Sequence, residues 1–216
     1  NHCRVVANIA AAKGIPCHII SPTESSYPTS NSKMIRFFGA FVTKCPVSQV
    51  STTIERKMDE LRAKGYNPYF IQGGGHGDIG TQSYINAYGE IVDYEKSSGM
   101  YFDYIFHTSG TGTTQAGLIC GKQIYNDNRK IVGISNARRK KQGSQVILES
   151  VNSYLNSIDK KRINPDEVIF IDDYILNGYG TYNNRMLEII KEVLIKEGIP
   201  LDTTYTGKAY WGMTEY

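Results

Sequence analysis

Short apolar runs rich in branched side chains alternate with segments of helical period throughout this sequence, the mark of a parallel sheet covered by helices on both faces. A first helix carries Val5, Val6, Ile9 and Ala10 and ends near Lys13-Gly14, after which residues 15–21 read as a buried strand. Residues 22–30 are loop by composition. Met34, Ile35, Phe37 and Phe38 predict a short helix stopped by Gly39, followed by a strand over 40–44. Thr52 and Glu55 form a capping box for a helix that places Ile54, Met58 and Leu61 on one face and closes at Lys64-Gly65. Strands over 69–71, 102–107, 130–135 and 168–171 then alternate with helices over 84–94, 115–125, 147–158 and 186–197. The expected class is α/β, with open, mostly parallel twisted sheets.

A chain of 216 residues with 40% apolar and 21% charged content can bury a core without disulfides. Its net charge of +3 is scattered except for Arg138, Arg139, Lys140 and Lys141, which read as a solvated surface turn, so no nucleic-acid partner is expected. Cys3, Cys17, Cys45 and Cys120 are widely spaced without a CxxC pair, which suits reduced thiols in a cytoplasmic protein and gives no metal site. No apolar stretch is long enough for a bilayer, and no charged start followed by an apolar run marks a signal peptide, so no membrane partner is expected. The sequence opens at Asn1 directly into a helical pattern, and the expectation is that it begins inside a domain.

Three segments could carry chemistry. After the strand over 102–107, Thr108-Ser109-Gly110-Thr111-Gly112-Thr113-Thr114 leads into a helix near Gln115. Glycines let the backbone wrap closely, N–H groups and hydroxyls can point at an anion, and the helix dipole adds to the attraction. The segment is neither a Walker loop nor a GxGxxG fingerprint, and a tight strand-to-helix turn with cap residues is the competing reading. Gly73, Gly74, Gly75, Gly77 and Gly80 form a second glycine-rich turn whose amides could receive a carboxylate, or which could be a plain connection. His76 in that turn reads as a polar loop residue, and His18 as structural. Near the end, Gly178-Tyr179-Gly180 and Thr204-Tyr205-Thr206-Gly207-Lys208 flank a helix. Phenols can relay protons or pack on a planar ring, yet most only pack, and composition does not single out one of 16 tyrosines.

Taken in order, Asn1-His2-Cys3-Arg4, Gly73-Gly74-Gly75, Thr108 through Gly117, Gly178-Tyr179-Gly180 and Leu201-Asp202 to Tyr205-Thr206-Gly207-Lys208-Ala209 resemble D-cysteine desulfhydrases and 1-aminocyclopropane-1-carboxylate deaminases. These are fold-type II pyridoxal-phosphate enzymes built like the tryptophan synthase β subunit. The resemblance covers nearly the whole chain. It implies a smaller α/β domain plus crossover over 1–98 and a larger cofactor-binding α/β domain over 99–216, truncated at both ends, in a homodimer. Asn1 would bond the phenolic oxygen of the cofactor, and Gly110, Thr111, Gly112, Thr113 and Thr114 its phosphate. Thr206 would also lie at the cofactor. His2, Gly74 and Gly75 would border the substrate carboxylate. Tyr179 would pack beside the substrate, with Tyr205 the group for proton transfer or, in ring-opening deaminases, for attack.

Thr206 and His2 resemble the desulfhydrase side, because the deaminases typically have glutamate and glutamine there. The implied reaction is elimination of the β-substituent from a small amino acid such as D-cysteine, giving pyruvate, ammonia and sulfide. The family's Schiff-base lysine, which lies well before the Asn-His motif, has no counterpart among these residues. His76-Gly77, Thr113 and Asn177-Gly178 also depart from the usual pattern. Ring-opening deamination, a fragment or non-catalytic cofactor-binding protein, and a sugar-phosphate or nucleotide-binding α/β protein remain the rivals.

Overall fold

The structure, a computed structural model, describes residues 1–25 and 29–216, so part of the loop expected over 22–30 lies outside the described residues. It divides into two compact units, Asn1–Ile71 and Gln72–Tyr216. The first contains α1 (His2–Ala12), β1 (His18–Pro22), α2 (Ser30–Phe37), β2 (Phe41–Cys45) and α3 (Val50–Ala63). β1 and β2 pair in parallel from His18↔Phe41 to Pro22↔Cys45, which is the helix-strand alternation expected from sequence. The His18 ring stacks on Phe41 at 4.8 Å, a packing role.

The second unit contains α4 (Asp78–Ser98), β3 (Tyr104–Ser109), α5 (Thr113–Ile124), β4 (Lys130–Ser135), α6 (Lys140–Ser157), β5 (Ile169–Ile171), α7 (Asn184–Glu197) and α8 (Thr206–Thr214). Its sheet runs β3-β4-β5, with both pairings parallel. α4 packs along α5 within this unit, although it falls before the boundary expected at 98/99. The approach is close: a Cβ on Gly121 would lie 2.6 Å from the Tyr88 side chain. Ile85, Tyr88, Ala116, Ile119, Ile131, Ile147, Val151, Leu155 and Phe170 fill the core between these helices and the sheet. Cys120 is fully enclosed there, with Sγ 3.9 Å from the Val151 carbonyl oxygen. Burial, with a smaller contribution from the Asp78 charge, pushes its thiol up to about 12.

Several expectations need correction. Residues 69–71 form no strand: Tyr69, Phe70 and Ile71 are exposed, Pro68 supplies no N–H, and apolar character without a ladder partner does not make a strand. Thr52 is not an N-cap; a 3-10 turn over Val47–Gln49 feeds α3 two residues earlier, and Thr52 donates to the Gln49 carbonyl from inside the helix. α4 is about twice the expected length, because Gly77 and Asp78 start it well before its apolar stripe and Gly99 ends it in the left-handed conformation. α8 was not anticipated, since its small and aromatic residues lack an apolar period. The basic run is no uniform surface turn: Arg138 is half-buried, whereas Lys140 and Lys141 open α6 in solvent.

Candidate active site

β3 ends at Ser109 and the chain turns through residues 110–112 into α5, at the carboxyl end of the parallel sheet where such folds bind ligands. Gly112 is the N-cap, with φ of 99° and no side chain to cap the helix; a Cβ there would also lie 3.0 Å from Ile147 Cγ1. The Gly112 carbonyl accepts from Ala116 N at 2.9 Å, while the N–H groups of residues 110–115 have no acceptor among the described residues. A helix start that leaves its donors uncapped, with the positive end of the dipole behind them, is suited to an anion.

Side chains extend this donor set. The Thr111 and Thr113 hydroxyls lie 3.3 Å apart, and Thr113 Oγ1 is 3.5 Å from His76 Nδ1. The triple-glycine turn presses against the same loop, since a Cβ at Gly74, where φ is 71°, would sit 2.6 Å from Thr111 Oγ1. Gly75 follows it in the same 3-10 turn, and Thr114 is half-buried in the first turn of α5. Arg138 Nη1 donates to the Thr111 carbonyl at 2.9 Å and brings a guanidinium behind the loop. Ser109 Oγ and Asn136 Oδ1, buried at the ends of β3 and β4, have no partner among the described residues.

The two tyrosines meet at one point. Tyr179 Oη and Tyr205 Oη are 2.5 Å apart, with the rings edge to face. Tyr205 is the N-cap of α8, and its carbonyl accepts from Thr108 Oγ1 at 2.9 Å, which ties it to the last turn of β3 beside the anion loop. Burial, reinforced by the Tyr179 hydrogen bond and the Asp202 charge, raises the Tyr205 phenol above its ordinary value.

Asp202 builds this corner. Its carboxylate accepts from Thr204 N and Tyr205 N at 2.7 Å, from Thr206 N at 3.1 Å and from Thr206 Oγ1 at 2.8 Å. Burial acts to push the carboxyl up, but these hydrogen bonds prevail and hold it below its ordinary value. Thr206 Oγ1 also accepts from Asp202 N, so the hydroxyl expected at the cofactor is engaged within the turn.

Asn1 and His2 belong to the first unit. Asn1 precedes α1 without a side-chain cap bond, its Oδ1 accepts from Asn31 Nδ2 at 2.6 Å, and His2 is exposed on the first turn.

The model of the family described as "Pyridoxal-phosphate dependent enzyme" matches residues 1–216. The chain belongs to that family. A putative 1-aminocyclopropane-1-carboxylate deaminase of Pyrococcus abyssi is 34% identical over 164 residues, covering 74% of this chain and 48% of the relative. A D-cysteine desulfhydrase of Serratia proteamaculans is 28% identical across the whole chain and 67% of its own length. Among solved structures, an ACC deaminase homologue superposes with a TM-score of 0.87 at 28% identity, over 100% of this chain and 65% of that one. The chain thus spans about half to two thirds of the length of these relatives. The α/β architecture is that of the tryptophan synthase β-like members of the pyridoxal-phosphate family.

The cofactor such a family implies is pyridoxal phosphate, and the loop after β3 fits its phosphate: the uncapped amides of residues 110–115 and the paired threonine hydroxyls are donors for an anion. Sequence reasoning assigned no individual role to Arg138, or to Asp202 and Thr108 within their motifs; their contributions run through main-chain atoms of the loop or of Tyr205. The glycines and threonines of the loop gave the one local signal, while nothing in the run Arg138 to Lys141 distinguished its first residue from the exposed ones.

Proposed function

We propose that the protein is a pyridoxal-phosphate-dependent lyase that removes the β-substituent of a small amino acid such as D-cysteine, which with water gives pyruvate, ammonia and sulfide. The observation that carries this reading is the 2.5 Å contact of the Tyr179 and Tyr205 hydroxyls beside the anion loop. When bound, pyridoxal phosphate supplies an electron-poor ring that takes up the charge left at the substrate Cα once its proton departs.

The chain's own residues supply the surroundings. Gly110, Thr111, Gly112, Thr113 and Thr114 would hold the phosphate through main-chain donors and hydroxyls, and Thr206 and Asn1 would contact the cofactor, Asn1 at its phenolic oxygen. His2, Gly74 and Gly75 would receive the substrate carboxylate, and Tyr179 would pack beside the substrate, as the family resemblance implies. Tyr205, raised by burial and by its partner phenol, keeps its proton at neutral pH and is therefore a donor. Such a donor suits elimination, in which the departing sulfur can take up the phenol's proton, whereas attack on a cyclopropane would need the phenolate. Thr206 and His2 favour the same side.

The likeness to the Pyrococcus abyssi relative supports ring-opening deamination as the second reading. No helix of the described residues is long and apolar enough to cross a membrane. The family resemblance supports a cytoplasmic homodimer. The test is to supply the native holoenzyme with D-cysteine and with 1-aminocyclopropane-1-carboxylate, measuring sulfide and pyruvate against 2-oxobutanoate. Sulfide release supports the elimination. Release of 2-oxobutanoate alone would replace it by deamination, and neither product would overturn both.

A further inference from the structure

Lys208 is fully enclosed, one turn into α8 from Tyr205, and pairs with no carboxylate among the described residues. Its Nζ instead donates to three carbonyl oxygens: Gly178 at 2.9 Å, Ile175 at 3.0 Å and Asn136 at 3.2 Å. Three acceptors match the three protons of an ammonium, so the group is fully satisfied where an unpaired buried charge would be costly. Burial holds the lysine below its ordinary value, and the carbonyl cage opposes that loss of charge.

The acceptors come from two segments that matter to the site. Gly178 directly precedes Tyr179, and its turn is closed internally by Gly178 N on the Ile175 carbonyl and Thr181 Oγ1 on the Gly178 carbonyl. Asn136 closes β4: its N–H donates to the Ser109 carbonyl, and a Cβ on Gly110 would lie 3.2 Å from its Oδ1, so its side chain lies against the turn of the anion loop. Tyr205 itself shares α8 with the lysine. One ammonium therefore joins the backbone of the Tyr179 turn, the helix start of Tyr205 and the residue beneath Gly110.

We propose that Lys208 is a positioning residue that holds the Tyr179 and Tyr205 hydroxyls together and in register with the loop of residues 110–114. The proposal rests on the reading of that pair as the proton-handling group. Lys208 touches neither phenol; it acts through main-chain carbonyls, and its removal would let the Tyr179 turn drift from α8.

The test uses the native holoenzyme with Cζ-labelled tyrosine, Tyr179 and Tyr205 being assigned through Tyr179→Phe and Tyr205→Phe. In Lys208→Met the Tyr205 resonance moves most of the way to its position in Tyr179→Phe, and the two substitutions together add little further shift. In parallel, kcat for elimination falls by about 10²-fold, the cost of a roughly 1 Å misplacement, with KM little changed. Lys208→Gln, whose amide can satisfy two of the three carbonyls, carries the test if Lys208→Met fails to fold, and gives an intermediate shift. A folded variant that is less stable but leaves the Tyr205 resonance in place overturns the proposal and reduces Lys208 to a packing role. A moved resonance in an enzyme that releases no sulfide instead defeats the proposed reaction and leaves the positioning intact.

Discussion

Tyr205 is held twice, by its hydroxyl on Tyr179 at 2.5 Å and by its carbonyl on Thr108 at 2.9 Å, so the phenol is fixed relative to the strand that ends in the anion loop. Burial and the Tyr179 bond both favour the protonated phenol. Tyr205 therefore stays protonated as pH rises through the range where an ordinary tyrosine titrates, near 10. Replacing Tyr179 by Phe removes the second of these causes and brings the titration to lower pH. The expected outcome is an alkaline limb of kcat/KM that moves to lower pH in Tyr179→Phe, while Tyr205→Phe loses about 10²-fold or more in kcat. An alkaline limb indifferent to Tyr179 would detach the pair from catalysis.

Gly112→Ala should weaken cofactor binding more than it weakens folding. The residue needs φ of 99°, and its new Cβ would press on Ile147 at 3.0 Å, so the strain of roughly 1–3 kcal/mol falls on the turn that presents the amides. Titration of the apoenzyme with cofactor, followed by absorbance and set beside the thermal midpoint, separates the two effects. Unchanged cofactor affinity in a folded variant would contradict the assignment of the loop.

Glu95 and Asp127 both lie 2.6 Å from Arg129 Nη2, nearly out of solvent, and Tyr101 contributes a cation–π contact at 4.9 Å. The Arg129 hydrogen bond is the main reason the Glu95 carboxyl lies below its ordinary value. A depressed folded value means that this contribution is present above the unfolded carboxylate range near 4 and is lost as pH falls through the folded value. Glu95→Gln should cost about 1.5–3 kcal/mol at neutral pH, because it removes one charged hydrogen-bond partner of Arg129 while Asp127 remains, and the deficit should shrink in acid. Urea unfolding at two pH values measures both; a deficit that grows in acid would refute the linkage.

How much of this could be read from the sequence depended on what fixed each feature. The strands of residues 130–135 and 168–171 were legible because a buried parallel strand has to be apolar along its length, and Ile131, Val132 and Ile134 are. The stretch 69–71 has the same composition but no partner, and pairing is a tertiary event that three residues do not encode. The anion loop was legible because glycine at 112 answers a local backbone demand. Tyr205 could be named only through the family resemblance, since its distinction among 16 tyrosines arises from Asp202, Thr108 and Tyr179, which the fold brings together. Lys208 was hidden for the same reason: carbonyls leave no trace in side-chain identity.

The enclosure of Cys120 turns the core into its own reporter. A thiol enclosed in this way, and held far from its reactive anion, can be alkylated only when the helices packed around α5 part. Labelling by iodoacetamide, read at Cys120 by peptide mass, therefore counts openings of the 72–216 unit, and added cofactor should slow that clock in proportion to how tightly it grips the neighbouring helix start.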